Sequence, residues 1–136
     1  MAKGVIYPSN FETKIGFNLI REQCVALCTM QHARDLLAKE EFSTVKAEIM
    51  RRQALAEEMR QILISEREAP TEEFYDIAEI VEKARVEGTF LEVMEVVQLG
   101  KALISAGDFV QFLHKSDAER YPTLISLAKP VKALWN

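Results

Sequence analysis

Apolar positions along this chain keep the period of a helix almost throughout, and most clearly between Phe90 and Lys115. There Val96, Leu99, Leu103, Ala106, Val110 and Leu113 recur at intervals of three and four, while Lys101, Ser105, Asp108 and Lys115 fall opposite. A second file, Val93, Val97, Gly100, Ile104 and Gly107, runs beside the first. Two adjacent files make a band wide enough to touch more than one neighbour, which predicts a central helix over about 90–115. Gly88 suits the left-handed residue that ends a preceding helix, and Thr89 with Glu92 makes a capping box that starts the long helix at Phe90. Gly100 and Gly107 each cost about 1 kcal/mol relative to Ala unless a close helix crossing compensates. The alternative is a break at Gly107, with Asp108 capping a new helix.

A second long helix is predicted over about 44–65, where Val45, Ile49, Ala56, Met59 and Leu63 keep the period and Leu55 and Ile62 widen the stripe. The run Glu66 to Glu73, with Pro70, is a loop, and Asp76 to Glu87 resumes as helix with Ile77, Ile80, Val81 and Ala84 inward. Near the start, Ser9 and Glu12 form a capping box. Gly16 either ends that short turn, leaving Asn18 to cap a helix carrying Leu19, Ile20, Cys24, Leu27 and Cys28, or is tolerated inside one helix from Phe11 to Cys28. Thr29 is the next cap, for a helix through Leu37 to about Glu40. Tyr121, Pro122 and Thr123 open a last helix that Pro130 ends. No Asn-Gly or Asp-Gly joins alternating runs, so the expectation is an all-α bundle of about five to seven helices in a single helical domain, 1–136. The stop at Trp135 and Asn136, directly after an apolar group, is the pattern of an N-terminal fragment of a longer protein.

Composition narrows this picture. A chain of 136 residues that is 49% hydrophobic can bury a core without metal or disulfide. Its net charge of -4 argues against a tight nucleic-acid binder acting alone. Two cysteines without a disulfide framework predict a reducing, cytoplasmic compartment. No basic-then-apolar leader is visible and no segment approaches bilayer length, so no membrane is expected.

Candidate chemistry is sparse. Gly100-Lys101 is followed by Ala102 and fails the phosphate-loop pattern. Cys24, Cys28 and His32, spaced four and four, would line up soft ligands on one continuous helix. Three ligands from one helix rarely close a tetrahedron and a cap at Thr29 turns His32 away, so the reading is core thiols with a surface histidine. Glu72 and Glu73 read as acids at a helix start and Trp135 as a packing residue. No catalytic, cofactor-binding or metal residue emerges. Arg51, Arg52 and Arg60 are candidates for nucleic-acid contact along one broad helix face, against a solvated face paired with Glu48, Glu57 and Glu58.

Tyr7-Pro8-Ser9-Asn10-Phe11-Glu12, Lys14-Ile15-Gly16-Phe17 and Ile20-Arg21 resemble the opening of the MutS-like ATPases of the second clade, which end in an Smr nuclease domain. The likeness continues in order through Asp76-Ile77, Glu87-Gly88-Thr89-Phe90-Leu91, Leu99 to Leu103, Phe109 to Leu113 and Tyr121-Pro122-Thr123-Leu124. Thr29-Met30-Gln31-His32 departs from that family's Ser-Pro-Leu-Gly type of turn. The resemblance implies a non-catalytic core and lever segment of an ATP-dependent DNA-binding protein related to mismatch-repair MutS. It also implies ATP and Mg at sites outside this chain, a homodimer, and DNA or a ribosome as the whole protein's partner. The rival expectation is an autonomous helical interaction or dimerisation module, motivated by the width of the apolar band on the central helix.

Overall fold

The computed structural model describes residues 7–71 and 74–131; Glu72, Glu73, Trp135 and Asn136 lie outside them. The described residues form helices and no strand: α1 (Phe11–Lys14), α2 (Phe17–Leu27), α3 (Gln31–Ala38), α4 (Lys46–Ser65), α5 (Ala78–Arg85), α6 (Val93–Lys115) and α7 (Pro122–Ala128). The all-α expectation holds, with α4 and α6 as the long members. Two compact units divide the chain, Met1–Met50 and Arg51–Asn136.

In the first unit Gly16 takes φ +75°, a left-handed conformation that separates α1 from α2 and excludes the single-helix alternative. Gly16 is itself the cap of α2, so Asn18 lies one residue inside the helix and does not cap it. Likewise Asn10 rather than Ser9 precedes α1, and Met30 rather than Thr29 precedes α3. The organising contacts are aromatic: the Phe42 ring meets Phe11 and Phe17 edge-on at centroid distances of 5.0 and 4.7 Å. Arg21 lies across Phe17 and pairs with Glu12 at 2.6 Å. No residue of α1, α2 or α3 is fully buried, and Leu27 is 82% exposed.

The second unit holds the core, built from Ile62 of α4, Leu113 of α6, and Tyr121 and Ala128 at α7, with Phe109, Leu124 and Ile125 packed against it. This rotates α4 from its expected stripe. Leu63 is exposed, whereas Leu55, Glu58 and Ile62 turn inward. Helix α6 packs on α7 and is continuous through Gly107, so the alternative break does not occur. Gly88, at φ +81°, ends the segment before α6 as expected. The capping box stands three residues later than expected, pairing Glu92 with Glu95, and α6 therefore starts at Val93. Thr89 serves α5 instead: its hydroxyl lies 2.7 Å from the carbonyls of both Lys83 and Val86.

By length and composition α6 could cross a membrane, which corrects the expectation that no segment approaches that length. Length is weak grounds for a span here. Glu95, Lys101, Asp108 and Lys115 interrupt the helix, and a charge near a bilayer's centre costs about 2.5–3.5 kcal/mol.

Candidate functional site

Two arrangements in the second unit invite a functional reading: a polar tie between α4 and α7, and an uncovered apolar face on α6. The tie begins with a deficiency of α7. Its cap position is Tyr121, which supplies no side-chain acceptor, so the first N–H groups of the helix need one from elsewhere. Pro122 at the first turn has no N–H to satisfy. The N–H groups of Thr123 and Leu124 donate to the two carboxylate oxygens of Glu58, at 3.0 and 2.8 Å. Glu58 is only 8% exposed, and its negative charge sits at the positive end of the helix.

Eight residues along the chain, Glu66 repeats the contact with the same junction. One of its oxygens accepts from Arg120 Nη1 at 2.8 Å and from the Tyr121 hydroxyl at 2.9 Å. The Tyr121 side chain is 1% exposed, and burial, then its hydrogen bond to Glu66, raise its phenol above the ordinary value. Each group in this network is committed to a helix end or to another member.

A second junction joins α5 to α6. Lys83 Nζ pairs with both carboxylate oxygens of Glu95 at 2.9 and 2.8 Å, and the N–H of Glu92 donates to the same carboxylate at 2.7 Å. Those contacts hold Glu95 below the usual carboxylate range, the lysine first. The side chain of Gln98 also donates to the Asp76 carbonyl at 3.1 Å.

The apolar face is made by Val93, Val97 and Ile104, with Gly100 between them and Phe90, Met94 and Val96 beside them. Val93 is 79% and Ile104 57% exposed. The apolar side chains of the second file are thus largely exposed, with Gly100 and Gly107 half-buried between them. A Cβ built on Gly100 would meet nothing within 4 Å, so no close crossing offsets its cost there.

The candidate arginines separate. Along the continuous α4 the nine steps from Arg51 to Arg60 make about two and a half turns, so these two project from opposite sides rather than from one broad face. Arg60 is held by Glu57 through Nε at 2.8 Å and Nη2 at 2.7 Å, and this contact pulls the Glu57 carboxyl down to about 2. Arg51 and Arg52 are exposed. Glu58 leaves the solvated face on which the sequence placed it. Its role had one readable signal, a helix opening at Tyr121-Pro122 with no acceptor of its own.

Cys24 is exposed and Cys28 half-buried, correcting the expectation of core thiols. His32 belongs to a separate helix, α3, and among the described residues no three of His, Cys, Asp and Glu stand grouped to hold a metal ion. No protein-family model, curated protein or solved structure matches this chain.

Proposed function

We propose that this chain is a non-catalytic helical core and lever segment of a MutS-like, ATP-dependent DNA-binding protein. The observation that carries the reading is where the resembling residues fall. Among the described residues Gly16 and Gly88 are the left-handed joints, and Pro122 opens α7. Residues at these positions act through the local backbone, the glycines by lacking a Cβ and the proline by its fixed φ, and so set the course of the chain, as a segment that transmits motion between distant sites requires. The ties from Glu58 and Glu66 to α7 fit the same role, because a lever must move its helices together. ATP and Mg would act elsewhere in the whole protein, and DNA or a ribosome would be met by the assembled molecule.

Reading the gene past the codon for Asn136 tests this directly. Further helical sequence followed by a Gly-x-x-x-x-Gly-Lys-Ser or Gly-Lys-Thr loop is the expected result, together with no ATP hydrolysis by the present chain. A stop codon at that point, or hydrolysis by a clean preparation of this chain, would overturn the proposal.

The exposed file on α6 favours a second reading, a helical interaction or dimerisation module. Sedimentation velocity decides it: association that Ile104→Lys abolishes supports the module, and a monomer at every concentration removes it.

A further inference from the structure

The final turn of α2 carries chemistry that the lever role does not use. Cys24 and Cys28 are both free, one exposed and the other half-buried, and they stand four residues apart on one helix. Cys28 is the C-cap. Its φ of -70° keeps its Cβ at a helical position although its ψ of 132° ends the helix. Its thiol lies 3.5 Å from the carbonyl oxygen of Cys24, folded back along the turn toward its neighbour.

Spacing decides what such a pair can hold. Helical residues four apart have Cβ atoms about 5–6 Å apart. A disulfide needs about 3.5–4.5 Å, so direct oxidation would require the turn to unwind. A bridging ion relaxes that demand, because each sulfur then bonds the ion and not the other sulfur. A tetrahedral ion would need further ligands, which the described residues do not gather here.

We propose that Cys24 and Cys28 form a two-thiolate site for a soft monovalent cation, copper(I) in class. Both thiols lose their protons on binding and each sulfur donates a pair to the metal. One Cu⁺ and two thiols thus give a bis-thiolate complex of charge -1 and two protons, with no electron transferred. Soft thiolate ligands select copper(I) over harder ions. Arg34 Nε donates to the Cys28 carbonyl at 2.9 Å, which holds a guanidinium against the residue that ends α2.

The test uses the full, reduced chain under anaerobic conditions, titrated with copper(I) against a chromophoric copper(I) chelator. One equivalent is expected to bind, with an X-ray absorption edge of two-coordinate copper among sulfur scatterers. Cys24→Ser and Cys28→Ser should each weaken binding at least 100-fold while circular dichroism shows unchanged helix content, and His32→Ala should bind as the unaltered chain does. Retained affinity in either serine variant would overturn the site, as would loss of more than tenfold in His32→Ala. Should a serine variant lose helix content, the unaltered chain still decides: copper(I) should raise its melting temperature while equimolar zinc(II) does not, and no copper effect rejects the proposal.

Discussion

The carboxylate of Glu58 accepts the backbone N–H of Leu124 at 2.8 Å, across 66 positions of sequence. With the matching bond from Thr123, this contact supplies α7 with the cap that its own residues lack. A surface-patterned glutamate has become the acceptor for a distant helix.

Removing that acceptor should loosen α7. Glu58→Ala is expected to destabilise the chain by about 0.5–2 kcal/mol, the usual range for a lost helix cap. Glu58→Gln, which keeps one acceptor oxygen and loses the charge at the helix start, should cost roughly half of that. Urea denaturation followed by circular dichroism measures both. Equal stability of Glu58→Ala and the unaltered chain would remove the cap from the account.

Tyr121 predicts an alkaline effect. Its folded value is raised above the unfolded value of about 10, so its contribution to stability is complete below that pH and is lost as pH rises through the folded value. Tyr121→Phe should lose about 1 kcal/mol near neutrality, with the hydrogen bond to Glu66, and should show a shallower alkaline decline. Spectrophotometric titration of the unaltered chain and of Tyr121→Phe should show that the substitution removes a late-ionising phenol, and loss of a phenol that ionises at the ordinary pH would contradict this.

Glu95 acts at the acidic end. Lys83 holds its carboxyl below the unfolded value of about 4.3, so the stability it contributes is present above that pH and is lost as pH falls through the depressed folded value. Glu95→Gln should therefore melt earlier at neutral pH and lose part of the acid dependence. Glu57 follows the same sign, its folded value being about 2, but its pair with Arg60 is open to solvent and contributes little. Thermal melts between pH 2 and 7 on Glu95→Gln and Glu57→Gln should separate the two, with the larger effect at Glu95.

Gly100 offers a gain. It lies within α6, and an added Cβ meets nothing within 4 Å, so Gly100→Ala should stabilise the chain by about 0.5–1 kcal/mol. In a larger assembly whose partner helix crosses α6 at Gly100, the same methyl should weaken association. Melting of the present chain and sedimentation of the assembly read these effects separately.

Sequence by itself determined the helical class, the two long helices, the left-handed residues at Gly16 and Gly88 and the opening of α7 at Pro122, because period, glycine and proline act through the local backbone. Local signals misplaced several caps, since Ser9, Asn18, Thr29 and Thr89 all have the chemistry of a cap and the chain must choose among adjacent candidates. Tertiary structure alone decided that Glu58 turns inward and that the Cys24 thiol stays in solvent, whereas the pairing of Arg60 with Glu57 is local to α4 and was legible in the spacing. It also decided which apolar file of α6 is used: Leu113 packs with Ile62 and Tyr121 while Val93, Val97 and Ile104 stay open. Periodicity records that a face is apolar. Its burial depends on which neighbours the fold supplies, because hydrophobic burial has no direction of its own and a carboxylate goes inside only where unpaired N–H groups are waiting for it.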